Sequence, residues 1–335
     1  MSPAPIRTIA ALAAAVSALL AMAPAASALE GTYTETTLES TLVPSPVPIS
    51  VYTPPGYDPD RAEPYPLIIQ LHGGGGDNTH MERMSRLLEQ AIAEGRVPPA
   101  VSVMPAAGRT FYMDFKDGSQ KWESFVTEDL IAHMRKTYNV VEGREGTLIT
   151  GISMGGMGSL RMAFKHPDIF HAVASMEPGI EPNLDFDEIA VRDRFWRSDE
   201  LFRQIYGDPV DEAYWQANNP ANIAAADPER LVDLAIYLEA GDQDMFYLHH
   251  GTEFVHRILF DAGLSHEYRL VRGAEHVGPS IGPRFLDAMS FFGRVLDPPV
   301  WVDDQVLRTR QYLDGLKERA GMEVIEHDPR RLRAN

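Results

Sequence analysis

The sequence predicts an α/β fold in which a mostly parallel central sheet carries helices on both faces. Three observations predict it. Strand-like and helix-like segments alternate along most of the chain. The stretch "YPLIIQLHGGGG" is a continuous apolar run ending in glycines, which is typical of a buried central strand. The chain has 335 residues, 44% of them apolar, which is enough for one substantial core in a single domain.

The N-terminal segment, residues 1–28, has the composition of a signal peptide. It carries one cation at Arg7, an Ala/Leu-rich run, and Ala26-Ser27-Ala28 in the small-x-small pattern of a signal-peptidase site. A membrane anchor is less favoured, because residues 9–23 as a helix would reach only about 22 Å, short of the roughly 30 Å bilayer core. We therefore expect cleavage after Ala28 and export to the periplasm or the medium.

The predicted α/β domain spans residues 29–297. Its strands are expected, in chain order, in "TYTETTLESTLV", "PVPISVYTPPGY", "YPLIIQLHGGGG", "AVSVMP", "GTLITG", "FHAVASMEP", "LVDLAIYLEAGDQD" and "HEYRLVRG". Amphipathic or apolar periodicity predicts helices at Met81–Glu94 and Trp122–Tyr138, in "MGGMGSLRMAFKHP", near Tyr247–Gly263, and at Pro283–Leu296.

Two regions depart from this alternation. In residues 179–230 many aromatic side chains are interspersed with charges, which predicts an inserted, cap-like segment. The C-terminal extension, residues 298–335, contains "DQVLRTRQYLDGLKERAG", whose apolar side chains share one helical face: Val306, Leu313, Leu316 and Ala320. We expect an appended helix that docks on the body of the protein or on another subunit, so that a homo-oligomer could form through it.

Charge and cysteine content exclude several classes of function. The formal net charge of -18 and the pI near 5.0 give no electrostatic footprint for nucleic acid or for an anionic membrane surface. Neutral or cationic small molecules, or polysaccharides, are more compatible with this negative charge as binding partners. Cysteine is absent, which excludes disulfides, thiolate metal sites and a cysteine nucleophile. Any nucleophile of this protein is therefore an oxygen or a nitrogen.

The stretch "LITGISMGGMGS" places Ser153 within a G-x-S-x-G motif, Gly151 to Gly155, between a predicted strand and a predicted helix. In that setting a sharp turn lifts the serine hydroxyl above the edge of the sheet, and glycines avoid collisions with neighbouring backbone. Gly156 and Gly158 each cost roughly 1 kcal/mol of helix propensity. Close approach of this helix to the sheet is the expected compensation.

A serine nucleophile needs a base to take its proton and an acid to orient that base, and on this fold the chain order is Ser, then Asp or Glu, then His. Asp242 and Asp244 follow one predicted strand, and His276 follows the last one. Because the carboxyl ends of adjacent parallel strands meet at one rim, these side chains can reach Ser153. We expect His276 to be the general base. The residues alone do not decide between Asp242 and Asp244.

The glycine loop "QLHGGGG" is expected to supply a backbone N–H that joins the amide of Met154 in an oxyanion hole. A flexible linker is the alternative. The spacing of His72, His80 and Asp77 matches none of the common zinc-binding motifs, so we predict neither a catalytic metal nor another cofactor. Aromatic side chains are candidates for contact with substrate, although they are as compatible with a place in the core: Tyr112, Trp196 and Trp215.

An ordered set of motifs resembles the secreted putative-esterase family of α/β-hydrolases, which includes esterase D-like enzymes, feruloyl esterases and mycolyltransferases. The motifs are "YTPPGYDP", "YPLIIQLHGGGG", "WESFVTEDL", "GISMGGMGSL", "AGDQDMFY" and "AEH". The resemblance implies an α/β-hydrolase fold with Ser153 as nucleophile, Asp244 as acid and His276 as base. It also implies an oxyanion hole formed by the amides of Gly74 and Met154. Asp244 is preferred over Asp242 on this ground alone.

The resulting hypothesis is an exported serine carboxylesterase, with acetyl or feruloyl esters of sugars or glycans as favoured substrates. Acyl transfer to another alcohol and peptide hydrolysis by the same triad are alternatives. A binding protein that keeps the fold without turnover is a third reading. We expect no nucleic-acid partner, and no membrane span once the signal peptide is removed.

Overall fold

The computed structural model describes residues 29–324, so the predicted signal peptide at residues 1–28 lies outside the described residues. The described chain forms an eight-stranded sheet in the order β1-β2-β4-β3-β5-β6-β7-β8. β1 and β2 run antiparallel to their neighbours, and the pairs from β4 to β8 are parallel. The predicted α/β architecture is confirmed.

The strands occupy the segments that the apolar runs predict. Their bounds are β1 Thr32–Leu38, β2 Val47–Thr53, β3 Leu67–Leu71, β4 Val101–Pro105, β5 Thr147–Ile152, β6 Ala172–Met176, β7 Ala235–Gly241 and β8 Glu267–Val271. The central strands β3 and β4 are buried at every position, as expected for parallel strands covered on both faces.

Helices cover both faces of the sheet. Their bounds are α1 Met81–Ala93, α2 Trp122–Ser124, α3 Ile131–Thr137, α4 Met154–Lys165, α5 Asp199–Tyr206, α6 Glu212–Gln216, α7 Pro220–Ala226, α8 Leu248–Asp261, α9 Ile281–Leu296 and α10 Asp304–Arg319. Apolar side chains of α1 and α9 pack together on one face. Those of α2 to α4, α7 and α8 form the core on the other face.

The helix predicted over Trp122–Tyr138 is present, but its middle, Phe125–Leu130, is a π-helix that joins α2 to α3. Widened turns of this kind are rare and often lie near functional sites. Among the residues described, no helix is long and apolar enough to cross a membrane.

The appended helix of the C-terminal extension is present as α10, but none of its residues is buried. Leu313 and Leu316, on the predicted apolar face, are 45% and 40% exposed. The predicted apolar face of α10 is therefore only partly covered. Docking on another subunit stays a prediction.

Candidate active site

Ser153 lies in a strained turn between β5 and α4. Its φ and ψ are 59° and −116°, a positive-φ conformation that costs a non-glycine residue of order 1–3 kcal/mol. The turn is closed by hydrogen bonds from Ser153 N to Met176 O, 2.9 Å, and from Gly179 N to Ser153 O, 3.2 Å. The backbone of β6 and of the segment after it therefore holds the serine in place.

The glycines of the motif are required by close packing of α4 on the sheet. A Cβ on Gly155 would lie 2.1 Å from the carbonyl oxygen of Leu71, and one on Gly156 would lie 2.4 Å from that of Met176. A Cβ on Gly151 would meet the carbonyl oxygen of Gly155 at 2.3 Å. Real Cβ atoms do not approach backbone this closely, so only glycine fits at these positions. Helix α4 therefore lies close to the sheet, which is the expected compensation for the low helix propensity of its glycines.

The glycine loop after β3 lies against the start of α4. A Cβ built on Gly74 would be 3.9 Å from Cβ of Met154, and one on Gly73 would be 3.6 Å from Cβ of Ser153. Met154 is the first residue of α4, and the first amides of a helix have no acceptor within that helix. The loop and the helix start thus border the same space above Ser153.

His72 holds this loop in place. Its Nε2 accepts a hydrogen bond from Ala107 N, 3.1 Å, so Nδ1 carries the proton and donates to Gly73 O, 2.8 Å. Burial lowers the pKa of His72, which favours this neutral form. Because both ring nitrogens are engaged, His72 is not available as a metal ligand beside His80 and Asp77.

The loops after β7 and β8 bring Asp244 and His276 together. His276 Nδ1 lies 2.7 Å from Asp244 Oδ2, and Phe246 N donates to Asp244 Oδ1 at 2.6 Å. The Phe246 ring packs edge-on against the imidazole, with 4.7 Å between ring centroids. The carboxylate of Glu275 accepts hydrogen bonds from Met245 N and His276 N, which fastens the two loops to each other.

Asp242 has a different environment from Asp244. Its Oδ1 accepts a hydrogen bond from Gly273 N, 2.6 Å, within the adjoining turn. Of the two aspartates, Asp244 therefore contacts His276, whereas Asp242 braces the backbone of the β8 loop.

A buried charged cluster lies beneath Asp244. Arg284, from α9, donates through Nε to Glu239 Oε2 at 2.7 Å and through Nη1 to the carbonyl oxygen of Glu275 at 3.1 Å. It also contacts Glu177, the residue after β6. Burial raises the pKa of Glu177 to about 9, and the neighbouring Asp244 carboxyl adds to that effect. Burial opposes ionisation of Asp244 too, but the hydrogen bond from His276 and the neighbouring Glu177 carboxyl outweigh it and lower its pKa to about 2.

Ser153 and His276 line a common open cavity of about 580 Å³. The glycine loop forms one side, and aromatic side chains form much of the rest: Phe111, Trp196 and Phe246. Trp196 comes from the 179–230 segment and stacks on Phe111, with 6.2 Å between ring centroids. The 179–230 segment therefore contributes a wall of the cavity.

A buried arginine fixes that wall. Arg197 is fully buried; it donates to Gly179 O at 2.9 Å and pairs with Glu181 at 2.8 Å. Its guanidinium carbon lies 4.1 Å from the centre of the Phe111 ring. These contacts connect the 179–230 segment to the loop that carries Phe111, so the aromatic wall has a defined place relative to Ser153.

A second, smaller cavity of about 240 Å³ adjoins the first. The two share lining residues around the catalytic candidates: Gly73, His80, Ile152, His276 and Val277. Most of the remaining lining is apolar and comes from α1, α9 and the strand ends: Met84, Met104, Met176, Ile281 and Phe285. An apolar group attached near Ser153 could enter this space between Gly73 and His276.

The structure does not bring Tyr112 and Trp215 to the cavity. Both are fully buried, and the Tyr112 hydroxyl donates to the carbonyl oxygen of His72 at 3.4 Å. Trp215 packs edge-on against Phe186 inside the inserted segment. These two expected substrate contacts are corrected to core residues, because their aromatic area is covered by protein. Of the three aromatic candidates, only Trp196 lines the cavity.

The adjacent histidines after the acid loop do not reach the cavity lining. His249 and His250 contact each other with 4.4 Å between ring centroids, and His250 pairs with Asp193 at 3.2 Å. Within residues 29–324, the group of side chains able to hold a metal is Glu177, Asp244 and His276, whose ligand-type atoms lie within 4.8 Å of one another. His276 already bonds to Asp244, and Glu177 contacts Arg284, whose positive charge would oppose a cation.

Sequence reasoning missed the residues that support the site from below. Glu177, Glu239 and Arg284 lie on three different elements, and no spacing in the sequence connects them. A charged residue directly after a buried strand, as in "ASMEP", is the one sequence feature that could have drawn attention to Glu177.

Comparison with known proteins supports this description. The family described as "Putative esterase" matches residues 40–277. An acetyl esterase of Caldicellulosiruptor saccharolyticus is 27% identical over 145 residues, which are 42% of this chain and 52% of that protein. An endo-1,4-beta-xylanase/feruloyl esterase of Xylanibacter ruminicola is 29% identical over 133 residues, or 36% of this chain and 18% of that protein. The chain thus spans about half or less of these relatives.

A solved structure of a ferulic acid esterase superposes with a TM-score of 0.65 at 21% identity, covering 80% of this chain and all of the other. A likeness at this level of identity shows a shared fold.

Proposed function

Because the chain belongs to the putative-esterase family, we propose that it is a serine carboxylesterase that hydrolyses esters through Ser153, His276 and Asp244. One observation carries the proposal. A serine in a strained strand-to-helix turn shares a cavity with a histidine whose far ring nitrogen is held by a buried carboxylate. That constellation is the one needed to activate a hydroxyl as a nucleophile.

In the first half of the reaction, Ser153 Oγ attacks the ester carbonyl carbon and His276 Nε2 takes the hydroxyl proton. Asp244 accepts the hydrogen bond from His276 Nδ1, which keeps Nε2 unprotonated and stabilises the imidazolium that forms. The amides of Gly74 and Met154 stabilise the oxyanion. His276 then gives its proton to the alkoxy oxygen, and the alcohol leaves.

In the second half, water attacks the acyl-enzyme. His276 takes a proton from the water, the second tetrahedral intermediate collapses, and the proton returns to Ser153 Oγ as the carboxylic acid departs. Acyl transfer would follow the same steps with another alcohol in place of water, so product analysis with and without an added acceptor distinguishes the two reactions.

The two cavities can each hold one portion of an ester substrate. The larger, open, aromatic-walled cavity suits the alcohol portion, and the smaller apolar cavity suits the acyl group. We favour acetyl or feruloyl esters of sugars or glycans, since an extended glycan needs an open cavity and aromatic side chains commonly pack on sugar rings. The names of the acetyl esterase and feruloyl esterase relatives support this choice.

We also propose that the protein is exported, on the basis of the sequence of residues 1–28. Expression of the full-length chain, followed by N-terminal sequencing of the product from the periplasm and the medium, tests it. A mature protein that begins at Leu29 supports export, and a cell-retained product that keeps residues 1–28 contradicts it.

The catalytic assignment is tested by Ser153→Ala, measured on 4-nitrophenyl acetate and on methyl ferulate. We expect turnover to fall by about 10⁶-fold, as in other serine hydrolases. Ser198→Ala, which removes the cap of α5, is the matched control and should keep full activity. Substantial hydrolysis by the Ser153 variant would overturn the assignment.

The division of the substrate is tested by one variant in each cavity. Ile281→Phe narrows the smaller cavity and should lower kcat/KM for methyl ferulate relative to methyl acetate by about tenfold or more, since one misfitting group costs about 1–3 kcal/mol. Trp196→Ala should instead change the ranking of alcohol portions. If Trp196→Ala alters acyl preference while Ile281→Phe does not, the acyl group lies in the larger cavity and the division is wrong.

A further inference from the structure

Glu177 stands out among the buried charged residues because the esterase mechanism does not use it. It follows β6 directly and is fully buried, and its φ of 45° is positive, which a non-glycine residue rarely adopts. Its backbone N donates to Glu239 O at 2.9 Å, so β7 holds it in this conformation. This hydrogen bond to β7 fixes the backbone of Glu177, and the backbone in turn sets the direction of its buried side chain.

The two carboxyl oxygens of Glu177 have different surroundings. Oε1 accepts hydrogen bonds from Gly241 N, 2.9 Å, and from Arg284. Oε2 is buried and receives no hydrogen bond from any residue between 29 and 324. The ligand-type atoms of Glu177, Asp244 and His276 nevertheless lie within 4.8 Å of one another. An oxygen in this position beside a carboxylate has a partner only if one of the two groups carries a proton.

The charges nearby indicate which group that is. Asp244 is 2% exposed and already accepts hydrogen bonds from His276 and Phe246 N, both of which favour its ionised form. Arg284 is bonded through Nε to both oxygens of Glu239, so its charge is largely balanced there. Two adjacent buried carboxylates would repel each other strongly, and a proton on Glu177 removes that repulsion.

We propose that Glu177 is a positioning residue that acts as a neutral carboxylic acid and donates a hydrogen bond from Oε2 to Asp244. This inference rests on the proposed function, because Asp244 has a role only if His276 is the base. The hydrogen bond holds the Asp244 carboxylate toward His276 Nδ1 without adding a second negative charge. The raised pKa of Glu177 and the lowered pKa of Asp244 agree with this arrangement.

Glutamine is a close mimic of the neutral acid at this position. In Glu177→Gln the amide carbonyl can accept from Gly241 N and Arg284, while the NH₂ group donates to Asp244. The variant therefore keeps each proposed hydrogen bond and changes the charge only if Glu177 is ionised. The groups that face this pair are Asp244, His276, Arg284 and Glu239, with His249 acting on Asp244 from farther away.

The decisive measurement is the pH profile of kcat/KM for ester hydrolysis by Glu177→Gln. We expect its acidic limb to keep the midpoint of the unmodified protein, with kcat reduced less than tenfold. If Glu177 is instead a carboxylate, the substitution removes a negative charge within about 5 Å of His276 and moves that midpoint down by about one unit or more. Such a shift would overturn the proposal.

A second variant distinguishes positioning from simple packing. Glu177→Met keeps the length of the side chain but removes the donor. We expect its kcat to fall by about tenfold or more while KM stays near the unmodified value, because a hydrogen bond in the charge-stabilising network is lost. Glu177→Gln should restore most of that loss. Equal losses in both variants would assign Glu177 a structural role only and contradict the proposal.

Infrared spectroscopy provides a readout that does not depend on activity. The unmodified protein at pH 7 in D₂O should show the carbonyl band of a protonated carboxylic acid that Glu177→Gln reduces. An unchanged band would overturn the proposal even if the esterase assignment holds. If the unmodified protein hydrolyses no ester but the band is present and sensitive to the substitution, the proposed function fails while the protonated acid stands.

Discussion

The two sides of the candidate site are held in place by different physics. On the nucleophile side, Ser153 is fixed by a strained turn and by glycines that let α4 approach the sheet within contact distance of backbone. On the acid-base side, Asp244 and His276 are fixed by buried hydrogen bonds and charges that reach down to Arg284 and Glu239. Backbone packing positions the proposed nucleophile, and electrostatics positions the proposed base.

This difference explains why the side that carries Ser153 can be recognised in the sequence, whereas the side that carries Asp244 and His276 is harder to recognise. Packing against backbone demands glycine at fixed neighbouring positions, which leaves a compact motif around Ser153. A charge network can be assembled from any parts of the chain that meet in space, and here the loop after β6, strand β7 and helix α9 each contribute one residue. The two sides should therefore fail in different ways when altered.

The largest expected effect separates the two aspartates on the acid-base side. Asp244→Asn should lower kcat by about 10⁴-fold, because an amide favours the wrong tautomer of His276 and cannot stabilise its positive charge. Asp242→Asn keeps an oxygen acceptor for Gly273 N, so steady-state turnover should stay near that of the unmodified protein. A larger loss for the Asp242 variant would reverse the assignment.

Removal of the buried cation is expected to have the next largest effect. Arg284→Met leaves Glu177 and Glu239 without their charged partner, so the free energy of unfolding should fall by about 3–5 kcal/mol. Arg294→Met on the same helix removes only an exposed pair with Glu267 and should cost less than about 1 kcal/mol. Urea denaturation followed by circular dichroism compares them, and similar losses would mean that the buried cluster does not stabilise the fold.

On the nucleophile side, Gly155→Ala tests packing alone. The new methyl group would meet the carbonyl of Leu71, so unfolding should become easier by about 1–3 kcal/mol. Gly282→Ala is the control, since the nearest atom to its Cβ would be Leu87 Cδ2 at 3.6 Å and a helix gains from alanine. Thermal melts that show no difference between these variants would remove the packing explanation for the motif.

The remaining effect concerns pH and is small for each pH unit. Glu177 has an ordinary pKa of 4.5 when unfolded and about 9 when folded, so between these values the folded state binds the extra proton. Stability should therefore fall as pH rises through this window, by at most about 1.4 kcal/mol per pH unit for one proton. Burial also raises the pKa of Glu239 and Glu181, which act in the same direction.

Chemical denaturation from pH 5 to pH 9 measures that slope. Glu177→Gln should have a shallower slope than the unmodified protein, because glutamine cannot gain the proton. A Glu177→Gln slope equal to that of the unmodified protein would mean that Glu177 gains no proton on folding.

Much of the fold was predictable because each buried strand of a parallel sheet is a continuous apolar run, and the structure places strands in each of those segments. The surroundings of the aromatic residues could not be predicted in this way. Tyr112 and Trp215 are buried whereas Trp196 borders the cavity, although all three occur in polar sequence. Whether each side chain is buried or borders the cavity depends on how the 179–230 segment folds over the body, which no local pattern encodes.

The same limit applies to α10. Its helical period was visible in the sequence, and the helix is present, but a period does not reveal what the apolar face packs against. Likewise, Asp242 and Asp244 are equivalent in sequence and differ only by which one the β7 turn directs toward His276.

The central claim is that Ser153 is an activated nucleophile, and active-site labelling tests it most directly. The purified protein would be incubated with a fluorophosphonate probe, digested, and the adduct located by peptide mass spectrometry, with Ser153→Ala as control. The account predicts a single adduct on Ser153 that is absent from the variant. A folded protein that takes up no probe, or takes it up equally in the variant, would contradict it.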